Sequence, residues 1–257
     1  MSGFEAGNVY SLLMLFPFAL VLGTAILFIF LAAHWARKRS KNLSLVSTDD
    51  SFIGLTKTGF SPSIFDQPSR WLAIRSSDPR LVQAALGLHS TAPCSWEEGL
   101  HEAREHKMFV SPSIGGWVVV LGSALPDPAD DVDACFHFLR ELSRKVGQVQ
   151  FFSANRVVYH HAWALADQGN IFRAYAWAGE TLWNQGPVTA AERELRFQCF
   201  GYGTDRSVFV NRDPLMANTE KVFRLAARWS IDPMALREVS ANDRQGIVGS
   251  FSQSKLH

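Results

Sequence analysis

The sequence predicts an α+β protein: a single N-terminal transmembrane helix, then a cytoplasmic domain with an antiparallel or mixed β-sheet packed against helices. Three observations carry that expectation. No Asp, Glu, Lys or Arg occurs between Glu5 and Arg37. From Trp71 to about Val239, Trp, Phe, Leu and Val are spread through the chain as in a globular domain. Within that stretch, strand and helix patterns follow in the order β-α-α-β-β-α-β-β-β, with helices after them.

The first element is the apolar run 11–33, behind a short extracytoplasmic segment 1–10. At about 1.5 Å per helical residue the run reaches roughly 34 Å, enough for a hydrocarbon core of about 30 Å. A cleaved signal peptide would carry its positive charge before the run. Here Glu5 precedes it, and Arg37, Lys38, Arg39 and Lys41 follow within the basic flank 34–41. The positive-inside rule then puts the N-terminus outside and the domain in the cytoplasm, as in a bacterial-type single-pass inner-membrane protein whose first partner is the lipid bilayer. Residues 42–69, rich in Ser, Thr, Asp and Gly with Pro62 and Pro68, read as a linker. The globular domain covers 70–240, and 241–257 reads as a flexible tail.

Helix starts are legible as caps. Asp78-Pro79 opens one helix and Gly87 closes it. Ser95 and Glu98 form a capping-box pair that opens a second. Asp130 or Asp131 caps a third, in which Val132, Cys135, Phe136, Leu139, Leu142 and Val146 keep helical spacing up to Gly147. Thr189 with Glu192, and Asn218-Thr-Glu220, mark two more, and Asp232-Pro233 a last short one.

Strands are expected at Trp71–Arg75, Met108–Ser111, Trp117–Gly122, Val149–Ser153, Val157–Leu165 and Ile171–Trp177, in a sheet with helices on one face. The last two strands form a hairpin. A Gln168-Gly169 turn pairs Asp167 with Asn170, setting His161 against Ala176, Trp163 against Ala174 and Leu165 against Phe172.

Charge and motifs narrow the functional classes. The chain holds 25 basic and 24 acidic residues. Without the basic flank and Glu5, residues 42–257 carry a small negative excess. No basic stripe with interleaved aromatics is present, so nucleic acid is not an expected partner. Cys94, Cys135 and Cys199 have no CxxC spacing, and their odd number gives no disulfide framework,. Asp127, Asp130, Asp131 and Asp133 crowd a helix start without EF-hand spacing, and the helix dipole accounts for three of them. No metal or cofactor is expected. The Gly115-Gly116 and Gly201-Tyr-Gly203 stretches lack the context of a phosphate-binding loop, and no nucleophile elbow, HExxH or kinase signature occurs.

What remains is a short set of candidate residues. His160 and His161 point to opposite faces of a strand, so the two cannot chelate one metal. His161 shares the packed side with Tyr159 and Trp163. His160 is the catalytic candidate, with Glu180 as carboxylate partner. Cys94, next to a helix N-terminus, is the candidate thiolate. The polar and aromatic block around 178–186 suggests a pocket for a small-molecule ligand lined by Trp177, Glu180 and Trp183. The leading functional expectation is a binding or accessory-subunit module at the membrane, with a protein partner or membrane complex. A membrane-tethered, hydrolase-like enzyme using His160 and Glu180 is the alternative. A third is an inhibitory or protective protein that covers another protein with its acidic surface.

Overall fold

A computed structural model of the chain describes residues 69–105, 107–204, 213–232, 236 and 245–251. Its helices begin where the sequence offers caps. The Asp78 carboxylate accepts from Arg80 N at 2.9 Å and opens α1 (Pro79–Leu86). Ser95 and Glu98 complete the capping box of α2 (Trp96–Arg104). Asp131 caps α3 (Val132–Val146), and Thr189 with Glu192 caps the short α4 (Ala190–Glu194). Caps of this kind are worth about 1 kcal/mol each. The helix α5 (Asp213–Trp229) starts before the Asn218-Thr-Glu220 signal. Asn218 and Thr219 are buried inside it, where Asn218 bonds to Gln198 and Thr219 to both His161 and the Leu215 carbonyl of its own helix. The helix expected at Asp232-Pro233 lies almost wholly outside the described residues.

Among the described residues nine strands form one sheet: β1 (Ser69–Arg75), β2 (His89–Cys94), β3 (Lys107–Val110), β4 (Trp117–Leu121), β5 (Val149–Asn155), β6 (His160–Asp167), β7 (Asn170–Trp177), β8 (Thr181–Gln185) and β9 (Gly246–Ser250). Their order is β2-β9-β3-β4-β1-β5-β6-β7-β8, and every neighbouring pair is antiparallel. The α+β expectation therefore holds, with the sheet wholly antiparallel.

Helices cover both faces, not one. Leu72, Ile74, Val118, Val120 and Phe151 pack with the apolar sides of α1 and α3. The alternate residues Trp71, Ala73, Val119, Phe152 and Trp163 pack with α2 and α5. Burial on both sides explains why Trp117–Leu121 is a continuous apolar run. The two layers differ in bulk. In β6 and β7 the α3 side shows Ala162, Ala164, Ala174 and Ala176, whereas the α5 side shows Trp163, Tyr175 and Trp177.

The hairpin turn pairs Asp167 with Asn170 as expected, but the register shifts immediately beyond it. Phe172 is an extra residue, 54% exposed. Past this bulge Leu165 faces Arg173, Trp163 faces Tyr175 and His161 faces Trp177. The expected pairing of large with small is thus replaced by large with large. The Trp163 and Tyr175 rings lie 4.9 Å apart, a separation at which aromatic pairs attract beyond simple burial,. The bulge also turns Arg173 into the domain. Gly186 makes it possible: a Cβ there would fall 2.0 Å from the Phe172 carbonyl oxygen, and its φ is +74°,.

Strand β9 lies in the stretch read as a flexible tail, yet it is inserted between β2 and β3. Its glycines mask it as a strand and also let it fit. A Cβ at Gly246 would lie 2.2 Å from the Phe109 ring, and one at Gly249 2.7 Å from the Thr91 methyl. Both sheet edges are blunted against further strand pairing. On β2 the devices are Pro93, a register shift and Ser90 at φ 51°. On β8 the Tyr202 hydroxyl accepts from Asn184 N at 2.8 Å and sits 3.3 Å from its carbonyl oxygen.

The expectation of a single-pass inner-membrane protein is corrected. Among the described residues no helix is long and apolar enough to cross a membrane. The run 11–33 and the flank Arg37, Lys38, Arg39 and Lys41 lie outside the described residues.

Candidate functional site

Two places concentrate polar chemistry. The first is buried beneath the aromatic layer. Arg173, turned inward by the bulge, is 1% exposed and meets Glu192, 0% exposed, with Nε at 2.9 Å from Oε1 and 3.2 Å from Oε2. Its Nη1 donates to Asn184 Oδ1 at 2.9 Å and to the Gln185 carbonyl at 3.1 Å. Its Nη2 donates to Cys199 Sγ at 3.1 Å. Glu192 also accepts from Trp163 Nε1 at 2.8 Å and from Thr189 N at 2.8 Å. A buried ion pair is tolerated when its remaining donors and acceptors are satisfied, as they are here. Burial pushes the Cys199 thiol up to about 12, against the pull of Arg173, so it stays protonated.

Above this pair runs a strap, Phe197–Tyr202. Phe200 N donates to Tyr175 Oη at 3.1 Å, and the Phe200 carbonyl accepts from Thr181 Oγ1 at 3.1 Å and Asn184 Nδ2 at 3.2 Å. At its other end Gln198 is clamped by Asn218 of α5. His161 lies under that clamp, stacked on Trp163 and Tyr175. Burial pushes its pKa down to about 3, the Tyr159 carbonyl working the other way and His160 adding to the depression. An unfolded histidine titrates near 6.5. Between those values the unfolded chain binds a proton that the folded one does not, so stability falls as pH falls. The expected loss is about 1.4 kcal/mol per pH unit below about 6.5, levelling near 3. His161→Gln is expected to remove that slope, and unfolding midpoints at about pH 7 and about pH 5 for both proteins check it.

The second place is a cleft of about 580 Å³ at the N-terminal end of α3. Leu125, Phe138 and Phe251 line it on the apolar side, and Asp127, Asp130, Asp131, Asp133, Arg70 and His137 on the polar side. Arg70 pairs with Asp127 at 3.3 Å and donates to the Ser123 carbonyl at 3.0 Å. One Asp127 oxygen accepts from Ala129 N, and Asp131 is spent on the helix cap. Asp130 and Asp133 are exposed and have no side-chain partner among the described residues. No group of three or more His, Cys, Asp or Glu among the described residues is placed to hold a metal ion.

The residues singled out from sequence fall elsewhere. His160 starts β6 opposite Asn155, half-buried, and Glu180 is exposed immediately before β8. Cys94 ends β2, six strand spacings from β6, roughly 29 Å along the sheet, so it does not join them,. Its thiol is pushed up by burial and then by Glu98 and Glu102, the opposite of a stabilised thiolate. Trp177 and Trp183 are buried on opposite faces of the sheet and do not line one pocket. Sequence reasoning passed over Arg173, whose signal is a lone charge within an alternating Ala and aromatic strand. It also passed over Arg70 and His137, which carry no local signal. No protein-family model, curated protein or solved structure matches the chain.

Proposed function

We propose that the domain is a binding module whose cleft beside α3 receives a cationic side chain of a protein partner. One observation carries this reading: the hollow itself, about 580 Å³ with an apolar floor and an acidic rim. Acidic residues at a helix start need no ligand to account for them, because they complement the helix dipole. A hollow of that volume with convergent polar groups is what binding sites look like. Arg70 is held by Asp127 and Ser123 and so leaves Asp130 and Asp133 as the uncompensated charges. An exposed rim of this kind sets association rate and salt dependence more than affinity.

The test is native co-purification from the full chain, compared with the Asp130→Lys, Asp133→Lys double variant. A protein retained by the wild type and released by moderate salt is expected to be lost from the variant, which still unfolds cooperatively, its midpoint lowered only by the roughly 1–2 kcal/mol that two reversed charges at the α3 start cost,. Equal retention by both chains, or a small cation competing where no protein is retained, would sink the reading.

A further inference from the structure

His161 stands where β6, α5 and the strap meet. The Thr219 hydroxyl donates to the Leu215 carbonyl at 2.9 Å, so its oxygen is left to accept from His161 Nδ1–H at 3.0 Å. That sets the tautomer and leaves Nε2 as the acceptor facing Asn218 Nδ2 at 3.5 Å,. Asn218 cannot turn freely. Gln198 N donates to its Oδ1 at 3.1 Å, and its Nδ2 donates to the Gln198 carbonyl at 2.7 Å. Both ends of the amide are therefore bonded to one strap residue.

We propose that His161, Asn218 and Gln198 form an acid latch, in which a proton taken up at His161 Nε2 releases the strap from α5. Protonation places an N–H of the ring against the Asn218 NH2, donor against donor. Asn218 can accept the new hydrogen only by turning its amide over. That would set its oxygen against the Gln198 carbonyl and its NH2 against the Gln198 N–H, so both strap bonds are lost together. Among the described residues no carboxylate is bonded to the ring to hold the added charge. On β6 the neighbour is His160, just before it the Tyr159 carbonyl favours the charged ring, and across on β7 lies the Tyr175 ring at 6.0 Å. From α4, Glu192 is bound to Trp163 and Arg173. On α5, Glu220 pairs with Arg156, and Lys221 donates to the Arg196 carbonyl. The strap remains tied to β8 through Phe200 and Tyr202, so it opens at Gln198, beside Cys199.

Cys199 is the reporter and Cys135, fully buried on the opposite face, is the internal control. The full chain is labelled with a dithiodipyridine reagent, which reacts with thiols in acid, and each site is quantified by mass spectrometry. Rates are normalised to a free-thiol peptide. Labelling of Cys199 is expected to rise about tenfold per pH unit of acidification below about pH 6.5, with Cys135 protected throughout. In His161→Gln, which keeps a donor and an acceptor but does not titrate, the rise is absent. An equal rise in that variant, or Cys135 labelled in step with Cys199, overturns the latch. The comparison of the two cysteines in the wild type stands even without a folded variant.

Discussion

Glu192→Ala is expected to lower the unfolding free energy by about 3–5 kcal/mol, the usual cost of stranding one half of a buried ion pair. Arg173 would be left 1% exposed with its charge uncompensated, Trp163 Nε1 would lose its acceptor, and α4 would lose half of its capping box. For a chain of this size the fall in Tm is on the order of 10 °C. The double variant Arg173→Met, Glu192→Gln is expected to lose less than either partner's removal alone, because no isolated charge stays buried. Denaturant unfolding of the three variants measures both statements. A Glu192→Ala loss below about 1 kcal/mol would mean that water or a rearranged strap replaces the pair.

Removal of β9 is expected to have the larger effect. β2 pairs with no strand but β9 among the described residues, and β3 would become an edge. Phe109 would lose the backbone that covers it at Gly246. Two ladders of hydrogen bonds at about 1 kcal/mol each, with the burial of Val248 at about 1.5–3 kcal/mol, approach the whole net stability of a typical domain, about 5–15 kcal/mol. A chain ended at Ser240 should therefore lose its cooperative unfolding transition. A synthetic peptide of residues 245–251 should restore it in part. An unchanged transition in the shortened chain would show β9 to be an accessory.

The difference between what the sequence disclosed and what it hid is a difference of range. Caps at Asp78, Ser95, Asp131 and Thr189 are local, made by residues two or three apart, and each was legible. The hairpin turn was legible for the same reason. The register beyond it was not, because a single extra residue, Phe172, is chosen by packing of Trp163 on Tyr175 and not by the turn. The helices on the second face were hidden by alanines: Ala162, Ala164, Ala174 and Ala176 carry little hydrophobic signal, yet they face a packed helix layer. The pairing of Arg173 with Glu192 has no local signature beyond the lone charge of Arg173 in its strand. Glu192 read as a capping residue, which accounts for its contact with Thr189 but not for its contacts with the guanidinium and the indole. The cleft was half legible: its aspartates stood out, whereas the Arg70 and Phe251 walls come from far along the chain, in β1 and just after β9.

The position of β9 has a temporal consequence. His89 and Lys107 both pair with Ser250. At roughly 5–20 residues per second of synthesis, β2 and β3 leave the ribosome on the order of 10 s before the strand that joins them. For that interval two strand borders stand open, and the side of Phe109 that Gly246 comes to cover lies uncovered between them. High sequence separation of this kind also slows folding from the denatured state. The chain therefore has its greatest need of a chaperone just before its synthesis reaches residue 250, when all but one strand of the sheet is already made.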